Sequence, residues 1–241
     1  MAKYDFWENW KNKTKIEEEA IERVKLARDL VIKAIPKKAL VAIYIKGSFV
    51  RREMKEGSDV DMVPIVTENE YEGAVFGVND KKIDPVCVVP LSLWELKNNE
   101  LFTKSDSQPD LRAKPDRFLN KLNECKLIYG KPLNISEFPV RQDVEALKEQ
   151  IERMKLWINA YEAGKFSFSI KEVFWLVELE QKVKGLNVEH SYQGIMKAVK
   201  DKKHIIYDAF KFRTGEYKTE SEKKAFIAKL KKYLSDLEKQ Y

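Results

Sequence analysis

The residues of this 241-residue chain best suited to chemistry lie in Lys46-Gly-Ser-Phe-Val-Arg-Arg-Glu-Met-Lys-Glu-Gly-Ser-Asp-Val-Asp-Met62. Gly47 permits a tight turn and a close backbone approach. Ser48 adds a hydroxyl and is expected to begin a short helix, whose unpaired N–H groups favour an anion such as a polyphosphate. Asp59 and Asp61, two apart on an expected strand, leave the same face and can grip the same cations. Carboxylates that close repel each other, and a divalent metal resolves the conflict. Asp84, on a further expected strand, alternates with Ile83 and Pro85 and is the natural third carboxylate. The plain alternative is a turn, a helix cap and solvated acids. Two acids beside Val60, Met62 and Val63 weigh against it, because they are costly to bury without a cation.

Such groups need a scaffold. Lys15–Ile35 carries Ile16, Ala20, Val24, Ala27 and Val31 at three- and four-residue steps and stops before Pro36, which predicts an amphipathic helix. Ala39–Ile45 is short, apolar and partly β-branched and reads as a buried strand. Val60–Val66 and Lys82–Val89 read as two more, each with a proline that points to an edge or a strand end. Beyond Pro90 the period turns helical over Leu91–Asn98 and again over Asp116–Tyr129, with Gly130 as a C-terminal stop. Lys131–Pro139, with two prolines, reads as a linker.

The remainder stays helical. Val144, Leu147, Ile151, Met154, Ile158 and Tyr161 mark one face that ends at Gly164. Ser169–Lys184 is apolar nearly all round its middle and is expected at the centre of a bundle. Tyr192–Lys200, Ile205–Phe212 and Ser221–Gln240 complete it, the last with Phe226, Leu230, Tyr233 and Leu237 in register. The expectation is an α+β chain, with a small mixed-sheet domain over residues 1–135 followed by an all-α helical bundle over 136–241.

Gly-Ser, ten residues, Asp-x-Asp and a later strand carboxylate together resemble the polymerase β nucleotidyltransferase superfamily, in its small prokaryotic branch of minimal and aminoglycoside nucleotidyltransferases. The motif covers some 40 residues, and the order of domains extends the likeness loosely over the chain. The resemblance implies transfer of a nucleoside monophosphate from a nucleoside triphosphate, ATP being the expected donor, to an acceptor hydroxyl with release of pyrophosphate. It implies two Mg²⁺ ions held by Asp59 and Asp61, with Asp84 at the ion that lowers the acceptor's pKa. It implies contact of Gly47, Ser48 and the turn's amides with the β- and γ-phosphates. Arg51, three after Ser48 in a Gly-Ser-x-x-Arg pattern, would join them. Arg52 is expected as a solvated helix charge that can share that task.

The acceptor is open: a small hydroxylated molecule, a protein, or, less favoured, an RNA end. A second reading is an antitoxin-like regulatory protein acting on or binding a protein or RNA partner. Toxin bundles of that kind that cut RNA carry an arginine a few residues before a histidine, and neither His190 nor His204 has one so placed. A third is a degenerate nucleotide-binding protein, against which the intact Gly-Ser and Asp-x-Asp pair argues.

Composition narrows the field. Charged residues make up 35% and hydrophobic ones 44%, with 9 Gly and 8 Pro, which excludes collagen-like and disordered classes. Cys87, Cys125, His190 and His204 are too few for a disulfide scaffold or a zinc cluster. No membrane span or secretory leader is legible, so a cytoplasmic protein without membrane contact is expected. The net charge of +6 is uneven: residues 140–241 hold 21 Lys/Arg against 16 Asp/Glu, and residues 1–139 hold 24 against 23. Lys197, Lys200, Lys202, Lys203 and His204 form the cluster through which RNA contact is conceivable, although solvation is the simpler role. Self-association stays open.

Overall fold

A computed structural model describes residues 2–102, 112–162 and 166–241. The chain divides into two compact units, Met1–Val140 and Arg141–Tyr241. The first is a mixed sheet with helices and the second is all helical, so the chain is α+β.

The first long element is α1, Lys15–Ala34, opened by a capping box in which Thr14 accepts the Glu17 N–H and Glu17 accepts that of Thr14. Ala20, Ile21, Val24, Ala27 and Val31 are buried along one face. Each such valine contributes roughly 1.5–3 kcal/mol by leaving water, which outweighs any propensity term in the helix. Ile16, one residue into α1, is 38% exposed instead of joining that face.

Strand β1, Leu40–Lys46, pairs antiparallel with β2, Val60–Val66. The short helix α2, Glu72–Phe76, leads to a single 3-10 turn over Lys81–Ile83 and then to β3, Val86–Val88. Strand β4, Leu91–Ser92, runs directly into α3, Leu93–Asn98, capped by Ser92. The helix α4, Asp116–Leu119, precedes β5, Lys126–Gly130. The strand order is β3-β2-β1-β5, with β4 also on β2; β3 and β4 run parallel to β2, and β5 antiparallel to β1.

Two expectations change here. Lys82–Val89 does not form one strand: the Asp84 N–H closes the 3-10 turn onto the Lys81 carbonyl, and Pro85 has no N–H to give a ladder. Pairing therefore starts at Val86, and Asp84 lies in the turn before β3. Asp116–Tyr129 is a helix only for its first turn and ends as β5, which closes the free edge of β1. Gly130 has φ +90°, and a Cβ there would sit 2.1 Å from the Val41 carbonyl oxygen, so glycine is required by a strand's close approach and not by a helix end.

The sheet is buried on both faces. Ile43, Ile45, Met62, Val86 and Val88 meet α1, while Tyr44, Val63, Ile65, Leu91, Leu96, Phe118 and Leu119 form the opposite core. In the second unit, α5 (Asp143–Glu162) packs along α6 (Phe166–Val183), which also touches α7 (Tyr192–Ala198) and α8 (Ile205–Thr214); α9 (Glu220–Gln240) lies against α5 and α8. Val173, Phe174, Leu176 and Val177 are fully buried, as a central helix requires. Gly164, expected to stop α5, lies outside the described residues, as does the side chain of Tyr161. No helix of the described residues is long and apolar enough to cross a membrane.

Candidate active site

Strand β1 ends at Lys46 and the chain turns at Gly47, whose φ is +85°. Ser48 does not begin a regular helix. One turn forms, in which the Arg51 N–H donates to the Gly47 carbonyl at 3.4 Å, the Arg52 N–H to Phe49 at 3.1 Å and the Glu53 N–H to Ser48 at 2.8 Å. The last two bonds, with Arg52 at φ +58°, make a Schellman closure, which ends helical winding after a single turn. The helix expectation is thereby corrected, but its electrostatic consequence survives. The N–H groups of Ser48, Phe49 and Val50 donate to nothing among the described residues; Phe49 is fully buried, so the amides of the partly exposed Ser48 and Val50 are the ones open to an anion.

Asp61 sits on β2, on the face it shares with Val63 and Ile65. Its ladder partners are Lys46 on β1 and Cys87 on β3. A Cβ placed on Gly47 would lie 3.3 Å from Asp61 Oδ2, so this carboxylate lies directly against the turn. Asp59 is exposed just before β2, two residues ahead of Asp61. Asp84 is exposed in the turn before β3, two residues ahead of Val86, the first residue of the register that sets Cys87 opposite Asp61. Among the described residues no three His, Cys, Asp or Glu side chains gather as a cation-binding group. The structure thus sets the Gly47–Ser48 turn against Asp61, with Asp59 just before β2 and Asp84 in the turn before β3. The side chains of Ser48, Asp59, Asp61 and Asp84 make no hydrogen bond or ion pair with any described residue.

The two arginines have different partners. Arg51 pairs with Glu53 at 2.8 Å, both partly exposed. Arg52 is no solvated helix charge: its guanidinium grips Glu17 through two bonds of 2.9 and 3.0 Å and also donates to the Lys11 and Asn12 carbonyls. It is therefore unavailable to phosphate.

Lys46 escaped the sequence reading. A lysine that ends an apolar strand immediately before Gly-Ser, in the alternation phase of Tyr44, was the signal that marked it. Its charge and that of Asp61 act in opposite senses on Cys125, whose thiol burial pushes up to about 11. Cys125 is accordingly a neutral core thiol and no nucleophile. In the second unit His204 caps α8, its Nδ1 accepting the Ile206 N–H, and its ring meets Tyr233 edge-on. Lys202 rests on Tyr207. The basic cluster thus loses two members to local structure.

Gly47 carries the first prediction. In Gly47→Ala the positive φ costs about 1–2 kcal/mol, and the methyl crowds the Asp61 carboxylate. Denaturant unfolding should show that loss, and calorimetry a weaker nucleotide affinity; unchanged values in both would mean that the turn relaxes freely.

The site belongs to an α+β unit in which a phosphate-suited turn faces a strand carboxylate. No family model and no curated protein matches the chain. Among solved structures, spectinomycin adenyltransferase AAD(9) from Enterococcus faecialis, determined with ATP and spectinomycin, is similar at 13% identity over 88% of this chain and 89% of that chain, with a TM-score of 0.48. A likeness at this level says nothing about reaction or residues.

Proposed function

We propose that the chain is a nucleotidyltransferase that moves a nucleoside monophosphate from a nucleoside triphosphate, ATP first, to an acceptor hydroxyl and releases pyrophosphate. The observation that carries this reading is the turn of Gly47 and Ser48, with the unpaired amides of Ser48 and Val50, set against the carboxylate of Asp61. An anion-binding turn beside an acid is self-defeating unless a cation comes with the anion, and a metal-bound triphosphate is such a ligand.

Asp59 and Asp61 fit this role, since Mg²⁺ is usually held by one or two carboxylates together with substrate phosphates and water, without a closed protein cage. Bound there, Mg²⁺ would offset charge on the triphosphate and make the acceptor hydroxyl more acidic. The amides of Ser48 and Val50 and the Ser48 hydroxyl donate to the β- and γ-phosphate oxygens and stabilise the charge that grows on the leaving pyrophosphate. Arg51 joins them by giving up Glu53, and the exposure of that pair keeps the exchange to about 1 kcal/mol or less. Asp84 is assigned the acceptor's proton, reached from the turn before β3. The acceptor is a hydroxylated small molecule or a protein side chain in this reading, with RNA less favoured.

Asp84→Asn should lower transfer about 10²-fold, at the low end for a general base. An unchanged rate would remove Asp84 from the reaction. The reading as a whole is tested by incubating the protein with ATP, Mg²⁺ and a cell extract and searching by mass spectrometry for nucleotidyl adducts. Adducts that form equally with Asp59→Asn and Asp61→Asn would defeat it. A copurifying protein without any adduct would favour a regulatory role.

A further inference from the structure

The Schellman closure puts Arg52 at φ +58°, where glycine would sit without strain and a side chain costs free energy. The Arg52 side chain offsets this cost through its contacts. The Arg52 guanidinium donates twice to Glu17, at 2.9 and 3.0 Å, and to the carbonyls of Lys11 and Asn12, each at 3.0 Å, and stands 5.0 Å from the centre of the Trp10 ring. Glu17 is buried and is at the same time the third residue of α1, where it accepts the Thr14 N–H. The middle of the turn is held as well. Phe49 is fully buried, with the rings of Phe6, Trp7 and Trp10 centred 6.0, 6.1 and 5.2 Å away.

We infer that Arg52 and Glu17 are a positioning pair that fixes the Gly47–Ser48 turn in its phosphate-accepting shape by tying it to the start of α1; the inference rests on the nucleotidyltransferase reading. The turn's amides bind a polyphosphate well only when they are already in place, because a turn that must first be ordered spends binding free energy on its own ordering. The bidentate fork is the geometry in which arginine and carboxylate fix each other's orientation as well as their distance. Arg51, one residue earlier, stays on the surface with Glu53, so adjacent arginines divide the work: one is tied inward and the other is left for the ligand. The Arg52 hydrogen bonds hold the Glu17 carboxyl down at about 2. A carboxylate lowered in this way keeps its contribution above its unfolded value near 4.5 and loses it only as the pH falls through about 2, so the tie is intact throughout the range in which transfer is measured.

Three variants separate the tie from general stability. Arg52→Gly keeps the left-handed backbone and removes the fork, Arg52→Lys keeps the charge, and Glu17→Gln keeps the shape and the cap. Hydrogen exchange without nucleotide is read at the Arg51, Arg52 and Glu53 amides, alongside thermal unfolding and the steady-state constants for MgATP. Exchange at these amides should quicken about tenfold in Arg52→Gly and Glu17→Gln, and KM for MgATP should rise about tenfold with kcat within about twofold, Arg52→Lys lying between. Unchanged exchange and KM with only a lower unfolding temperature would reduce the pair to a tether of the N-terminal segment and overturn the inference. A wild-type protein that neither binds nor consumes nucleotide is a different result: it removes the parent reading, whereas wild-type binding matched by all three variants removes only this one.

Discussion

Asp61→Asn is expected to lower nucleotidyl transfer by roughly 10³-fold while the protein stays folded, the scale on which removal of one preorganised electrostatic group acts. The carboxylate is half-buried, lies against Gly47 and has no hydrogen-bond or ion-pair partner among the described residues, so the amide replaces it without breaking a structural contact. The loss should therefore fall on kcat/KM and not on the unfolding temperature. Asp59→Asn should behave alike, as the second carboxylate of the proposed Mg²⁺ pair. The rate is measured with the acceptor that the adduct search identifies, and circular dichroism checks the fold. A substituted protein that unfolds at wild-type temperature and transfers at wild-type rate would leave Asp61 without a role.

Gly130→Ala is the largest expected effect on stability. The added methyl would stand 2.1 Å from the Val41 carbonyl oxygen and 2.9 Å from the Ala42 Cα, both of them backbone, so no side chain can swing away. Strands β1 and β5 must part instead, and with them the cover of one sheet edge. The expected cost is about 4 kcal/mol or more, a large share of a domain's total stability of about 5–15 kcal/mol. Gly57→Ala is the control. Gly57 has a similar φ of +77° but nothing within 4 Å, so it should lose only the backbone penalty of about 1–2 kcal/mol. Equal midpoints for the two in urea would show that the close approach at Gly130 relaxes.

Much of this architecture was legible because single residues had single meanings. The 3.6-residue period of Ala20, Val24, Ala27 and Val31, closed by Pro36, admits only a helix, and the β-branched run before Gly47 admits little but a strand. Gly130 had two meanings, since a positive φ serves a helix end and a crowded strand equally. With Lys126, Leu127 and Tyr129 before it the helical meaning was the nearer one, and the β1–β5 pairing that decides the matter is not local. Strand β4 has two residues and no periodicity to detect. At the site, Gly47, Ser48, Asp59 and Asp61 were visible as a motif. The division of labour between Arg51 and Arg52 was not, because it depends on Glu17, which lies 35 positions away in the chain. Asp84 was placed by alternation through a proline that the ladder excludes, so the strand begins at Val86, two residues after it.

Nucleotidyl transfer by this chain requires metal-dependent capture of a triphosphate by the turn. Titration calorimetry of ATP into the wild-type protein, with Mg²⁺ and with EDTA, should show one site that needs the metal and that vanishes in the Asp59→Asn, Asp61→Asn double variant at an unchanged unfolding temperature. Equal heats from the wild type and the double variant, or none from the wild type with Mg²⁺ present, would contradict it.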